Sequence, residues 1–265
     1  MKKSGYFRRI LAIFALVAVV MVVVGGIQIL IVRGHNAIFD ALAAHDNARV
    51  IALINSGTDP NSTLFYPIRG LTNSSFFGYV LGYTDPKNGS GYTILGRACS
   101  DSNVEVCKAL LDKGADPNLT PKEGSSPLSN AITGDSSRGT ADIVKVVNLL
   151  LQHHADVNAS DGDATPPLAL AVRRRLGDVV NILLRHGAKI NYQDKGGYTS
   201  LYYAAARGNT DIVTILLTAG ADPTIASSTG VLPIDGAVNR GHKKIGAILK
   251  DAMAKRKAVK SNDTR

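Results

Sequence analysis

The sequence predicts an all-α protein in which pairs of helices repeat along a solenoid, preceded by one N-terminal transmembrane helix. Two observations carry this prediction. Residues 10–32 form a long apolar segment, and short motifs recur downstream at a spacing of 33 residues, a period typical of stacked repeats. The chain has 265 residues, enough for such an array, and its 45% hydrophobic content excludes wholesale disorder.

The N-terminal segment has the length of a membrane-spanning helix. Residues 10–32 are apolar except at Gly25, Gly26 and Gln28, and none carries a charge. As a helix the segment would extend about 35 Å, enough to span a bilayer with some tilt. A cleavable signal peptide is the alternative, but its apolar region is shorter and ends at a small-residue cleavage motif. We therefore predict an uncleaved anchor.

The flanking charges predict the orientation of this helix. One basic residue, Arg33, follows the segment closely, whereas four precede it: Lys2, Lys3, Arg8 and Arg9. The positive-inside rule places the basic N-terminus, residues 1–9, in the cytoplasm. The remainder of the chain is then expected in the periplasm, outside the cell or in a lumen.

The net charge of +9 does not indicate binding to nucleic acid. Thirteen of the 30 basic residues lie in two terminal groups, within residues 2–33 and 243–265. The body between them carries 17 basic and 19 acidic residues, so its own charge is near −2. Such a body has no excess of basic groups to neutralise a phosphate backbone.

Two motifs recur through the rest of the chain. Each copy of the first is a triplet ending in Leu or Ile, with Ala three residues later; the copies are Thr93–Leu95, Ser126–Leu128, Pro166–Leu168, Thr199–Leu201 and Leu232–Ile234. Their last residues are separated by 33, 40, 33 and 33 positions. A Leu-Leu pair and a turn sequence such as Gly114–Asn118 follow in each of the first four copies. Hydroxyl groups or Pro before an apolar stripe indicate helix starts.

These motifs together strongly resemble those of the ankyrin repeat family. The best copy runs from Gly197 to Gly208 and continues to Leu216-Leu217. The resemblance covers about Ala37 to Lys250, apart from one insertion. It implies units of two antiparallel helices and a β-hairpin-like turn, which bind proteins through the turn tips and the concave helix surface. We expect a degenerate first repeat at 34–61, five further repeats at 92–250 and a charged flexible tail at 251–265.

An insertion of residues 62–91 separates the first two expected repeats. It holds six of the fifteen Phe and Tyr residues of the chain: Phe65, Tyr66, Phe76, Phe77, Tyr79 and Tyr83. Insertions between repeats form loops on one face, often the binding face, so we predict a recognition loop. Packing of these aromatic side chains on the first helices, or contact with lipid, are the alternatives. A shorter polar insertion near residues 133–140 predicts a longer loop between two helices.

Other residues for a protein partner follow from the resemblance: Ser125, Tyr198, Tyr202, Arg174, Arg175, Arg207 and Arg240. Three of these arginines recur at intervals of 33 and would form a basic row for an acidic partner. Tolerance of basic residues at an exposed position is the alternative. Cys99 and Cys107 fall in one repeat, where two buried thiols or, in an oxidising compartment, a disulfide across the helix pair are both consistent with the sequence.

The sequence lacks the usual signatures of catalysis. Nucleophile-elbow, phosphate-loop and dinucleotide motifs are missing, and the six histidines show no metal-ligand spacing. We predict no catalytic residue, metal, cofactor or small-molecule substrate. The expected function is a membrane-anchored protein–protein interaction module that binds or inhibits a protein partner. The alternative is a general envelope scaffold, or a stress or assembly factor, without one dedicated ligand.

The predicted orientation can be tested with topology reporters. An enzyme that is active only in the periplasm or a lumen, fused after Arg265, should be active because the basic residues hold the N-terminus in the cytoplasm. Activity of a cytoplasm-specific reporter at the same position, without activity of the first, would reverse the orientation.

Overall fold

The structure, a computed structural model, describes residues 37–38, 40–61, 93–121, 125–134, 139–159 and 165–262. These residues form an all-helical fold without β-strands. The predicted transmembrane helix at 10–32 and the insertion at 62–91 lie outside them. Within the described part of the chain, no helix combines the length and the apolar character needed to cross a membrane.

The helices form six successive repeats. In the first repeat a helical segment ending at Ala43 precedes α1 (Asn47–Asn55). The other five are the pairs α2 (Ile94–Ser100) and α3 (Val104–Asp112), α4 (Pro127–Thr133) and α5 (Thr140–Gln152), α6 (Pro167–Arg173) and α7 (Gly177–Arg185), α8 (Ser200–Ala206) and α9 (Thr210–Thr218), and α10 (Pro233–Val238) and α11 (Lys243–Asn262). First helices pack on first helices and second helices on second helices, which gives two layers.

The recurring triplets begin the first helices, as predicted. The backbone N–H of Gly96 donates to Thr93 Oγ1 over 2.8 Å, and that of Tyr202 donates to Thr199 Oγ1 over 3.3 Å. In α4, α6 and α10 a Pro occupies the first turn, where its missing N–H costs no helical hydrogen bond. Gly208 follows α8 with φ +72°, a left-handed conformation that favours glycine.

The core consists of the residues that recur with the period. Five of the six second helices, α3, α5, α7, α9 and α11, each contribute a fully buried leucine: Leu110, Leu150, Leu183, Leu216 and Leu249. The first helices of the second to sixth repeats each contribute an alanine with no exposed surface: Ala98, Ala131, Ala171, Ala204 and Ala237. Alanine at this position lets the first-helix layer pack closely, and leucine fills the space between the two layers.

A row of asparagine side chains joins each turn to the next. The Oδ1 atoms of Asn61, Asn118, Asn158 and Asn191 accept hydrogen bonds of 2.7–2.8 Å from backbone N–H groups of the following repeat, at Asp116, Asp156, Lys189 and Asp222. We call this row the asparagine ladder. It is continuous from Asn61 to Asp116, so the first two repeats stack directly although residues 62–91 lie between them in sequence.

The third repeat has the expected longer connection between its helices, six residues at 134–139 against three at 174–176, and it also has a longer second helix. Its second helix, α5, has 13 residues, whereas α7 and α9 have nine each. Residue 144 corresponds to Gly177 in the 33-residue register, so Thr140–Ile143 add one helical turn before that position. Ile143 is fully buried, and the extra turn is therefore held by its own core contact.

The structure differs from the expected flexible tail at 251–265. Helix α11 continues without interruption to Asn262. Its Ala, Lys, Met and Arg residues are good helix formers, and Asp251 and Lys255 pair at 2.6 Å along its surface. Arg256 Nη2 lies 2.8 Å from Asp222 Oδ2 and ties this extension to the turn of the fifth repeat.

The register of the core predicts the effect of single truncations. Leu183→Ala should lower the free energy of unfolding by about 2–5 kcal/mol, because it leaves a cavity in a fully buried site. Leu184→Ala is the matched control, because Leu184 is only partly buried and its truncation should cost less. Denaturant titration of the full-length chain measures both. Equal effects of the two changes would contradict this register.

Candidate functional site

Three tyrosines meet on the surface of the first-helix layer in the fifth repeat. Tyr198 and Tyr202 have ring centroids 4.3 Å apart with planes inclined by 30°, and Tyr203 lies 6.0 Å from Tyr198 and 5.8 Å from Tyr202. All three are partly exposed. With Arg173 and Asp194 they form what we call the tyrosine surface.

The turn before α8 fixes the position of Tyr198. Asp194 Oδ1 accepts from the backbone N–H groups of Gly196 and Tyr198, at 2.9 and 3.0 Å. The N–H and hydroxyl groups of Ser228, in the next repeat, both donate to the carbonyl oxygen of Gly196, at 3.1 and 2.8 Å. Tyr198 is therefore carried by a turn that is bonded both to itself and to its neighbour.

The same turn depends on a glycine next to Tyr198. Gly197 has φ +76°, and a Cβ atom there would lie 2.4 Å from the backbone nitrogen of Ser228. A side chain would thus be strained and would push the two turns apart. Gln193 also joins these turns, because its Nε2 donates to the carbonyl oxygens of Gly197 and Ala226, at 2.7 and 2.9 Å.

Tyr202 rests on the neighbouring repeat. A Cβ atom at Gly236 of α10 would lie 2.8 Å from Cε2 of Tyr202, so the absent side chain leaves room for the ring. The Cδ2–Cε2 edge of Tyr202 therefore lies against α10, and the neighbouring ring of Tyr198 limits its motion further. The phenol keeps part of its surface open to solvent.

Tyr203 supports the pair from the side of Asp194. Its hydroxyl donates a short hydrogen bond to Asp194 Oδ2. Burial raises the pKa of Tyr203 to about 12, with further contributions from the hydrogen bond to Asp194 and its negative charge. The guanidinium carbon of Arg173 lies 5.7 Å from the centre of this ring, a cation–π distance. Tyr203 is thus held as a neutral hydrogen-bond donor.

The basic row has members with different roles. Arg174 Nη1 donates to the carbonyl oxygens of Ile132 and Gly134 in the preceding repeat, at 2.7 and 2.5 Å. Arg175 Nη2 donates to the carbonyl oxygen of Arg207 in the following repeat, at 2.7 Å. These two guanidinium groups tie repeats together, whereas the side chains of Arg207 and Arg240 are exposed.

The other candidates from the sequence lie apart from the tyrosine surface or outside the described residues. Ser125 is partly buried, and its carbonyl oxygen accepts from Asn130 Nδ2 at 3.1 Å. The six aromatic residues of the insertion fall within 62–91 and lie outside the described part of the chain. Cys99 and Cys107 are both fully buried as free thiols, with their Sγ atoms 3.6 Å apart.

Sequence reasoning placed Tyr198 and Tyr202 among the binding residues but missed Tyr203 and Asp194. Tyr203 immediately follows Tyr202, and Asp194 precedes Tyr198 by four residues, the spacing of a turn that closes on its own aspartate. The adjacent tyrosines and this aspartate spacing could have indicated Tyr203 and Asp194 from the sequence. In the described residues no group of three or more His, Cys, Asp or Glu side chains could hold a metal ion.

Comparison with known proteins identifies the repeats. The sequence model described as "Ankyrin repeats (3 copies)" matches residues 27–161 and 136–227. "Ankyrin repeat, SAM and basic leucine zipper domain-containing protein 1" of Carollia perspicillata is 34% identical over 134 residues, which are 50% of this chain and 22% of that protein. The protein of the same name from Ovis aries is 38% identical over 84 residues, 31% of this chain and 17% of that protein.

A third relative is a much longer protein, of which the match covers only a small part. The Neurogenic locus Notch protein of Drosophila melanogaster is 36% identical over 85 residues, which are 32% of this chain and 3% of that protein. The similarity thus spans about a fifth or less of the length of these relatives. It concerns their repeats, and the remainder of those proteins has no counterpart in the match.

The two roles of the arginines predict different mutant stabilities. Arg174→Ala should lower the free energy of unfolding by about 1–3 kcal/mol, because the carbonyl groups of Ile132 and Gly134 lose a charged donor. Arg240→Ala, at the equivalent exposed position, should change it by less than about 0.5 kcal/mol. Urea titration of the two variants compares them, and similar losses for both would refute this assignment.

Proposed function

Because the chain belongs to the ankyrin repeat family, whose repeats act as protein–protein interaction modules, we propose that it binds a protein partner through the tyrosine surface. The observation that carries this proposal is the stacked pair of Tyr198 and Tyr202. Their rings are 4.3 Å apart, partly exposed and fixed by hydrogen-bonded turns. No catalytic step is part of the proposal.

The physical advantage of this arrangement is low entropic cost. Tyrosine offers a large contact area and a hydroxyl group, and it is enriched among the residues that dominate binding energy. Rings already held by Gly236 and by the turn at Asp194 lose little freedom when a partner covers them. Apolar contact on the rings and hydrogen bonding at their hydroxyl groups are therefore available together.

The charges nearby favour an acidic rim on the partner. Arg173 lies beside the tyrosines, and the exposed Arg207 and Arg240 follow α8 and α10 in the same layer of first helices. Opposite charges at the edge of an interface accelerate association and select among partners more than they add affinity. Binding would hold or inhibit the partner by covering part of its surface.

The location we propose rests on the N-terminal sequence. Residues 10–32 would anchor the chain in a membrane, with residues 1–9 in the cytoplasm and the repeats in the periplasm, outside the cell or in a lumen. The insertion at 62–91, which lies outside the described residues, is a second proposed recognition segment because of its aromatic residues, with Phe76 and Phe77 as the preferred anchors. The alternative function remains a general envelope scaffold with many weak partners.

A site-specific crosslink separates these proposals. A photo-crosslinking phenylalanine derivative placed at Tyr198 or Tyr202 in the full-length chain should yield one dominant protein adduct in intact membranes. The same residue at Asn181, which is exposed on the second-helix layer, is the matched control and should yield none. Mass spectrometry identifies the adduct. Many weak adducts from all three positions would favour the scaffold alternative.

The partner identified in this way allows a quantitative test. Changing Tyr198 and Tyr202 together to Ala should weaken its binding by at least about 30-fold, the effect of losing about 2 kcal/mol. Thermal melting checks that the variant is still folded. Unchanged affinity would refute the tyrosine surface. If Phe76→Ala with Phe77→Ala then abolished binding, the recognition site would lie on the insertion instead.

A further inference from the structure

The two cysteines of the chain lie side by side inside one repeat. Cys99 is in the last turn of α2 and Cys107 is in α3, and both side chains are fully buried. Their Sγ atoms are 3.6 Å apart, about the contact distance of two sulfur atoms. A bond of about 2 Å would need only a small approach of the two side chains within the helix pair.

Packing alone does not require cysteine at these positions. In the 33-residue register Cys99 corresponds to Ala205 in the fifth repeat, and Cys107 corresponds to Val213. Both of those residues are fully buried as well. Ordinary apolar side chains thus fill the same two places elsewhere in the solenoid, whereas the second repeat has a facing pair of thiols.

We propose that Cys99 and Cys107 form a disulfide that joins α2 to α3. This inference rests on the proposed location of the repeats outside the cytoplasm, where disulfides form and persist. The bond would staple the repeat that stacks directly on the first repeat and follows the insertion at 62–91. The second helix of this repeat packs on the second helices of the first and third repeats, so a tie between α2 and α3 would also hold the surfaces on which both neighbours stack.

The chemistry is an exchange with an oxidised partner, such as a thiol–disulfide oxidoreductase or glutathione disulfide. One cysteine thiolate attacks the disulfide of the oxidant, forms a mixed disulfide and releases one thiol of the oxidant. The second cysteine thiolate then attacks the protein sulfur of that mixed disulfide and releases the other thiol. Two protein thiols lose two protons and two electrons, and one disulfide of the oxidant becomes two thiols.

The burial of the pair determines when this exchange can take place. Burial, and then the neighbouring Cys107, raise the pKa of the Cys99 thiol well above its ordinary value, so little reactive thiolate exists in the folded repeat. An oxidant also has no access to side chains without exposed surface. The disulfide therefore forms while α2 and α3 are still unpacked, and folding then protects it from reduction.

The state of the thiols in cells is the first test. Cells are lysed in acid to stop exchange, and the full-length chain is denatured and alkylated without a reductant. The expected result is no alkylation and a mass lower than that of the reduced chain by two hydrogen atoms. Two alkylated cysteines in a chain whose C-terminal reporter is active outside the cytoplasm would overturn the disulfide while leaving the location intact.

The second test does not depend on location. The purified full-length chain is reduced, unfolded in denaturant and refolded with glutathione disulfide, with Cys99→Ala and Cys107→Val together as a control variant that copies the fifth repeat. The oxidised chain should melt at a higher temperature than the reduced chain, and the control should not respond to the oxidant. Recovery of two free thiols, or of glutathione adducts at either cysteine, would overturn the proposal.

Discussion

The asparagine ladder is the interaction on which the arrangement of the turns depends. At Asn158 the backbone N–H donates to Asp156 Oδ1 at 2.9 Å, and the side chain then bonds the next turn, with Oδ1 accepting from Lys189 N–H at 2.8 Å. One turn therefore fixes its own asparagine, and that asparagine sets the distance to the following turn. Burial of the apolar core stabilises the stack, but the hydrophobic effect has no preferred direction. The directed hydrogen bonds remove that freedom, so the helix layers and the turn that carries Tyr198 share one spacing.

Much of this fold was predictable because each repeat has nearly the same neighbours. The capping hydroxyl of Thr199, the buried Leu183 and the left-handed Gly208 all follow from residues within one unit. The roles of the arginines did not follow in the same way. Arg174 and Arg240 occupy equivalent positions in their repeats. Arg240 is exposed, whereas Arg174 donates to the carbonyl groups of Ile132 and Gly134. These carbonyl groups lie at the end of α4, where Gly134 is extended (φ −66°, ψ −170°) beside the insertion near residues 133–140. The 33-residue period cannot predict a feature that occurs at one junction.

In the candidate site, too, the residues were predictable from one repeat, whereas their contacts with the next repeat were not. Tyr198 and Tyr202 were accessible from the family resemblance, because both fall on the surface implied to bind proteins. Their rigidity was not accessible, since it comes from Ser228 and Gly236 in the next repeat, about 30 residues away in sequence. A glycine in a helix usually weakens it. At Gly236 the missing side chain costs some helix stability but leaves the space that the ring of Tyr202 occupies.

The extension of α11 has a consequence for how the array could have grown. In the turn of the fifth repeat, Thr224 occupies the position that earlier turns give to asparagine, and it bonds back to Asp222. The other carboxylate oxygen of Asp222 is engaged by Arg256. A further turn stacked on the fifth turn would find no asparagine Oδ1 to accept its backbone N–H. It would also have to displace the extension of α11, whose Arg256 pairs with Asp222. Between two interior turns, by contrast, the asparagine Oδ1 acceptor and the backbone N–H donor are both present. We therefore expect an added repeat to disturb the structure less between two interior repeats than after the fifth turn, where Arg256 holds Asp222.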